Sequence, residues 1–156
     1  MKAEYINPFL IATKNVIETM SSTTVKTGKP EIKKGKTTWG AVSGIIGLAS
    51  KEMKGCMIVS FEETTIVHIT NQMLGEAYQN LNKDVIDAVG EITNQICGGA
   101  KSKFSEMGVE FDMASPVIIS GREIEIHQLT DGMTITIPFT TSAGAFVIEA
   151  NLAQKK

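Results

Sequence analysis

The chain has 156 residues, of which 42% are hydrophobic and 21% are charged, as in an ordinary globular protein that builds one domain, residues 1–156, without disulfides or metals. Its net charge of −2 gives no reason to expect binding to nucleic acid or to an anionic membrane. No stretch approaches the roughly 18 apolar residues of a membrane span, and the N-terminus lacks a secretory signal, so we expect a cytoplasmic protein.

The first predicted helix begins at Asn7-Pro8 and runs to about Met20. Asn7 suits the N-cap and Pro8 the first helical position. Lysines at positions 26, 29, 33, 34 and 36 make the next stretch basic. We interpret it as an irregular strand or loop with a solvated edge, because no aromatic residues alternate with the lysines as they do in many anion sites.

Two short β-rich runs follow, over Trp39–Ala49 and Met57–Phe61, and predict a hairpin that turns near residues 50–52. The glycines at positions 40, 44 and 47 favour close packing, since no Gly-Lys-Ser/Thr phosphate loop follows them. A second helix is predicted to begin at residues 62–65 and to end at Gly75. It carries His68, which has no second ligand four residues on and is interpreted as structural.

A long helix is predicted from Asn82, a suitable N-cap, to Gly108, a suitable left-handed C-cap. The remainder alternates like antiparallel strands, with Val117 and Ile119 in one, residues 124–127 in another, and residues 133–139 and 145–147 in a final pair before a polar C-terminal end. The predicted fold is α/β in the broad sense (α+β): a sandwich of mainly antiparallel sheet, with an N-terminal helix and a pair of helices packed on it.

Three polar residues share one face of the long helix. Glu91 lies about 40° from Asp87 on the helical wheel, and Asn94 lies about 20° to the other side. The opposite face carries a stripe that anchors the helix to the core and consists of Ile86, Val89, Ile92, Thr93, Ile96, Ala100, Phe104 and Met107. We therefore expect the three polar side chains to point into solvent.

Gly90 and Gly98 lie on or beside the polar face, where each costs roughly 1 kcal/mol relative to alanine in a helix. Core packing does not require glycine on a solvent face, whereas close approach of another molecule does. The alternative is an ordinary solvated face with two tolerated glycines, since acids and amides are common on exposed helices.

Several enzyme classes lack their signatures: there is no Gly-x-Ser-x-Gly elbow, no paired-histidine metal motif and no dinucleotide glycine fingerprint. Cys56 and Cys97 are isolated in apolar surroundings and read as two buried reduced thiols. Asp87 and Glu91 do not suit a glycosidase, because adjacent turns of a convex helix do not flank a sugar bond. An exposed carboxylate and carboxamide instead suit a partner's lysine and a water molecule held in line with a phosphoryl group.

The pattern Asp87-x-x-x-Glu91-x-x-Asn94, on a helix followed by Gly98 and a β-rich end, resembles the signature of the CheC/CheX/FliY family of bacterial chemotaxis phosphatases. Element order and length match the family over nearly the whole chain. A single copy of the motif in a chain of this length is similar to the CheX branch, whereas CheC members typically carry two. The first helix has Asn15, but Ala12 stands where the acid is needed, so we expect one active surface.

The resemblance implies that the protein hydrolyses the aspartyl phosphate of a CheY-type receiver domain. Asn94 would orient the attacking water, and Glu91 would pair with the lysine of the receiver's active site. Asp87 would be a supporting interface residue, while Gly90 and Gly98 would clear space for the partner. The Mg²⁺ would belong to the receiver, so no metal or cofactor is expected on this chain. A homodimer that joins sheets across subunits is also implied.

Two other hypotheses stay open. The chain is alternatively a module of the same fold that binds a receiver domain or a flagellar switch component without hydrolysis. It is otherwise a structural protein with a merely solvated helix. The presence of both Glu91 and Asn94 favours the enzyme, because a protein that only binds has no reason to keep both.

Overall fold

The computed structural model describes residues 3–127 and 132–155, and in it three helices pack on an antiparallel sheet. The helices are α1 (Ile6–Ser21, after a 3₁₀ helix at Ala3–Tyr5), α2 (Glu63–Leu74) and α3 (Lys83–Glu106). The strands are β1 (Lys26–Thr27), β2 (Glu31–Ile32), β3 (Val42–Ala49), β4 (Met53–Phe61), β5 (Asp112–Met113), β6 (Val117–Ser120), β7 (Thr134–Thr141) and β8 (Gly144–Gln154). The predicted α+β sandwich is confirmed.

The sheet is built from two hairpins joined in its middle. The strand order is β1-β7-β8-β4-β3-β5, with β2 also paired to β7 and β6 to β3, and every pairing of the described strands is antiparallel. The β3–β4 hairpin turns at residues 50–52, as predicted, although β4 begins earlier, at Met53. The pairing of β4 with β8 runs from Met53↔Gln154 to Phe61↔Phe146 and unites the hairpins.

One apolar core lies between the helices and the sheet. It includes side chains from all three helices and from the central strands, and its largest fully buried members are Phe9, Phe61, Phe104, Phe111, Phe139 and Phe146. Phe104 of α3 contacts Phe9 of α1 and Phe111, with ring centroids 5.4 and 4.9 Å apart. Aromatic packing of this kind fixes α3 against α1 and against the segment that leads into β5.

The other face of β8 is buried by a segment that precedes the first hairpin. Glu149 is 2% exposed, and its carboxylate lies 2.7 Å from the ammonium group of Lys33. The backbone N–H of Lys33 donates to the Thr134 carbonyl of β7 over 2.9 Å. Lys33 also donates to the Thr37 carbonyl over 2.8 Å, and Thr136 donates to Glu149 over 3.2 Å. This ion pair ties the basic segment to the sheet, so Lys33 is not part of a solvated edge.

The helix ends agree with the sequence at two of the four predicted caps, Gly75 and Asn82, and within one residue at a third, since Met107 rather than Gly108 is the C-cap of α3. Gly75 follows α2 in the left-handed region, the Asn82 side chain accepts a hydrogen bond from Val85 N, and Gly108 has φ +82°. The predicted cap of α1 is wrong, because the helix begins at Ile6 with Tyr5 as N-cap. Pro8 is tolerated there, since the first-turn N–H groups have no intrahelical acceptor.

Two predictions for the C-terminal half are also wrong. Residues 124–127 form no strand and contribute only the bridge between Thr37 and Glu125. The C-terminal end is not a polar tail, because β8 continues to Gln154 in the middle of the sheet with Glu149 and Asn151 buried. Glu149 pairs with Lys33, and the Asn151 amide donates to the Gly132 carbonyl. Neither partner is a close neighbour in the sequence, so the local sequence does not reveal these contacts.

Candidate functional site

The helix α3 is fixed from its buried side. Its core-facing residues are fully buried and include Val85, Val89, Ile92, Ile96 and Phe104. Burial of several large apolar side chains stabilises the position of a helix far more than its intrinsic propensity does. The face opposite this stripe is thereby held in one orientation towards solvent.

Two glycines set the distance between α3 and its neighbours. A Cβ atom added to Gly44 of β3 would lie 2.0 Å from Thr93 Oγ1, so only glycine admits the threonine there. Thr93 itself donates to the Val89 carbonyl over 2.6 Å. A Cβ at Gly99 would lie 3.1 Å from the Ala12 Cβ of α1. The close packing expected of Gly44 is confirmed, and its contact is Thr93, the residue that precedes Asn94.

The three polar residues of the motif are exposed, as predicted: Asp87, Glu91 and Asn94 all point away from the core. Glu91 Oε1 accepts a hydrogen bond from Gln95 Nε2 over 3.1 Å. Within the described part of the chain, the Asp87 carboxylate and the Asn94 amide make no hydrogen bond or ion pair. Both groups are therefore available to water or to another molecule.

A shallow groove of about 430 Å³ runs beside these residues. One wall is α3 and the other is the segment from Ala114 to Ile118 that leads into β6. The groove is lined by Ile86, Asp87, Gly90, Glu91, Asn94, Ala114, Ser115, Pro116 and Ile118. The predicted convex helix is thus only one wall of this surface. Ser115 and Pro116 were missed, because no local pattern shows that a segment so far along the chain returns to α3.

The two glycines of the predicted site have different surroundings. A Cβ at Gly90 would lie 3.5 Å from Ile118 Cδ1, an ordinary contact at the floor of the groove. A Cβ at Gly98 would meet nothing within 4 Å. Gly90 therefore opens the groove, whereas Gly98 leaves the helix surface bare further along.

Two members of the predicted apolar stripe do not belong to it. Ile86 is half-buried and lines the groove beside Gly90. Met107 is 41% exposed, because it follows the last helical residue and no longer keeps the helical register. Both residues lie at the margin of the apolar stripe, where a helical wheel alone assigns faces poorly.

Other reactive side chains lie away from the groove. Cys97 is a fully buried thiol, and burial raises its pKa to about 12, against a smaller opposing effect of Lys101. A thiol with that pKa is protonated and is a poor nucleophile. Cys56 is half-buried rather than buried. His68 borders two other grooves, and neither is lined by Asp87, Glu91 or Asn94.

The described ranges, 3–127 and 132–155, contain neither a candidate metal site nor a candidate membrane-spanning helix. No group of three or more His, Cys, Asp or Glu side chains there is placed to hold a metal ion. No helix there is long and apolar enough to cross a membrane.

Comparison with known proteins gives consistent matches. A family model described as chemotaxis phosphatase CheX matches residues 42–140. A relative from Thermotoga maritima, named CheY-P phosphatase CheX, is 25% identical over 141 residues, which cover 90% of this chain and 89% of the relative. The match therefore extends over nearly the full length of both proteins.

Solved structures agree with the same assignment. A CheC-like superfamily protein from Shewanella sp. PV-4 superposes with a TM-score of 0.91 and 42% identity, over 98% of this chain and 99% of that chain. The CheX protein of Borrelia burgdorferi, solved in a complex with CheY, BeF₃ and Mg²⁺, superposes with a TM-score of 0.79 and 27% identity, over 99% and 100% of the two chains.

Proposed function

We propose that this chain, which belongs to the CheX family of chemotaxis phosphatases, hydrolyses the aspartyl phosphate of a CheY-type receiver domain. The observation that carries the proposal is the placement of Glu91 and Asn94. Both are exposed on one face of a helix whose other face is fixed, beside an open groove. The relative named CheY-P phosphatase and the CheX–CheY complex support the same substrate.

The proposed reaction uses groups from both proteins. The Asn94 amide holds a water molecule in line with the phosphorus atom of the receiver's phosphoaspartate. The water oxygen forms a bond to phosphorus as the bond between phosphorus and the aspartate oxygen breaks. Inorganic phosphate and the free aspartate carboxylate are released, and the proton of the water passes to phosphate. Such a reaction demands positioning of the nucleophile more than covalent chemistry from the catalyst.

Glu91 fixes the docking by pairing with the lysine of the receiver's active site, and Asp87 supports the interface. Gly90 and Gly98 leave the helix surface open to the receiver. The Mg²⁺ that offsets phosphoryl charge is bound by the receiver, so this chain contributes no metal or cofactor. In this proposal the site is complete only when the two proteins meet.

Release of phosphate from a phosphorylated CheY-type receiver, with and without this protein, tests the proposal. We expect the unmodified chain to accelerate release. Asn94→Ala should reduce the acceleration at least about 100-fold, because a misplaced nucleophile costs that much. Glu91→Ala should also nearly abolish it. Asn15→Ala is the matched control, since Asn15 is an exposed asparagine on α1, and it should leave the rate unchanged.

The outcomes separate the hypotheses. Full activity in both the Glu91→Ala and Asn94→Ala variants, with helix content unchanged by circular dichroism, would show that the site assignment is wrong. A parent chain that binds the receiver without accelerating phosphate release would instead establish a binding module.

We also propose that the chain forms a homodimer by joining sheets and acts in the cytoplasm. Among the described strands, the sheet leaves two edges for such pairing, β1 with β2 and β5 with β6. A cytoplasmic location is supported by the receiver-domain partner of the Borrelia protein.

A further inference from the structure

The side chain next to the Glu91 carboxylate on α3 is an amide. Gln95 lies one turn further along the helix, and its Nε2 donates to Glu91 Oε1 over 3.1 Å. This distance is within the range of a true hydrogen bond. Within the described residues it is the one hydrogen bond that the Glu91 side chain makes, so Oε2 remains open to a partner.

The chemical type of this neighbour matters. Residues four apart on a helix face one another, and lysine is the stabilising neighbour that a glutamate commonly has at this spacing. A lysine at position 95 would neutralise Glu91 and would compete with the lysine of the receiver. Glutamine is neutral and donates through its amide. It therefore holds one carboxylate oxygen while the full negative charge of Glu91 remains.

The hydrogen bond also limits the conformations of an exposed side chain. Glu91 points into solvent, and a free glutamate samples many rotamers, most of which are lost when the carboxylate engages a partner. A carboxylate that is already oriented loses fewer of them. The receiver then meets a group whose direction is set before docking.

We propose that Gln95 is a positioning residue that orients Glu91 towards the receiver's lysine without neutralising it. The inference rests on the proposed function and concerns a residue outside the Asp87, Glu91 and Asn94 motif. It predicts that Gln95 acts on recognition of the receiver rather than on the attacking water.

Steady-state kinetics with a phosphorylated CheY-type receiver test this role. Gln95→Ala should raise KM roughly 1.5- to two-fold with little change in kcat, as expected from the strength of side-chain pairs four residues apart. Gln95→Lys should raise KM further, roughly five- to ten-fold, because its ammonium group occupies Glu91 and repels the receiver's lysine. Ser102→Lys is the matched control: Ser102 is exposed two turns further along the same face, and KM should change less than about two-fold.

A double-mutant cycle shows whether Gln95 acts through Glu91. Binding of a receiver activated with beryllium fluoride and Mg²⁺ is measured for Glu91→Ala, Gln95→Ala and the double variant. The double variant should bind as weakly as Glu91→Ala alone. Equal weakening by Gln95→Ala in both backgrounds would show direct contact with the receiver and overturn the proposal, as would parental KM in Gln95→Lys.

The cycle also keeps this inference separate from the proposed function. If the parent chain accelerates phosphate release but the Gln95 variants match it, the positioning role alone fails. If the parent binds the receiver without accelerating release, the proposed function fails, and the binding cycle still decides the role of Gln95.

Discussion

The backbone at Asn94 is anchored by Thr93, the residue that precedes it in the chain. Thr93 points inward against Gly44, is fully buried and donates to the helix backbone. The buried Thr93 side chain is therefore followed by the Asn94 side chain, which is exposed and unpaired within the described residues. Such an arrangement suits a group that must hold water in a set direction, because the backbone beneath it is anchored by buried contacts.

Substitution of Gly90 and Gly98 tests whether another molecule approaches this face of the helix. Gly90→Ala and Gly98→Ala should each raise the free energy of unfolding by up to about 1 kcal/mol, because alanine favours the helix and neither new Cβ meets a close neighbour. Each should nevertheless raise KM for the phosphorylated receiver, with Gly90→Ala acting by filling the groove. Urea unfolding and phosphate-release kinetics measure the two effects. Unchanged KM in either variant removes that glycine from the docking surface.

At the scale of elements, the contact between β3 and α3 links the sheet to the site. Gly44→Ala places a Cβ 2.0 Å from Thr93 Oγ1, so α3 must shift. We expect the free energy of unfolding to fall by about 1–3 kcal/mol, as in other overpacked cores, and phosphatase activity to fall with it because Asn94 moves.

The control for this prediction lies on the same strand. Gly47→Ala puts its Cβ 3.7 Å from the Ala114 Cβ, an ordinary contact, and should leave stability and activity near those of the parent. Thr93→Ala in the Gly44→Ala background removes Oγ1 and Cγ2, which lie 2.0 and 3.2 Å from the added Cβ, and should restore part of the lost stability and activity. Equal stability of the two glycine variants would contradict the role assigned to Gly44.

The sequence predicted the elements well where the signal is local. The ends of α2 and α3, the turn of the first hairpin and the exposed face of α3 depend on neighbours within a few residues, as at Asn82 and Gly75. The start of α1 was misassigned because Asn7 and Pro8 are equally compatible with a first helical turn. The exposure of Glu91 and Asn94 was predictable, but their catalytic roles are still predictions.

What the sequence did not reveal depends on contacts between distant segments. The sequence predicts a strand at residues 145–147 and a polar end after it, because a buried Glu149 is favourable only when a partner such as Lys33 compensates its charge. The groove likewise needs Ser115 and Pro116 to return to α3. Neither contact leaves a periodic pattern in the sequence, because each is set by strand pairing across the sheet.

At the scale of the whole molecule, the ion pair of Lys33 and Glu149 joins the N-terminal basic segment to the central strand. The side chains are 14% and 2% exposed. Glu149→Gln should lower the free energy of unfolding by about 3 kcal/mol, since the remaining ammonium group loses its counter-charge in a nearly buried place. Equilibrium unfolding in urea gives this value.

An exposed pair provides the comparison. Lys103 and Glu106 lie 3.7 Å apart and are 44% and 67% exposed, so Glu106→Gln should change stability by less than about 0.5 kcal/mol. Similar losses in the Glu106 and Glu149 variants would mean that the buried pair does not fasten the segment to the sheet.

The position of β8 has a consequence for the synthesis of the protein. Among the described strands β8 comes last in the chain, yet it lies between β7 and β4. On the ribosome, α3 and the first hairpin are therefore made long before the strand that closes the sheet between the two hairpins. Until β8 has been made, the edge of β4 that pairs with it is open, and an unpaired strand edge is prone to aggregation. The sheet of the nascent chain therefore stays open at β4 until β8 has been synthesised.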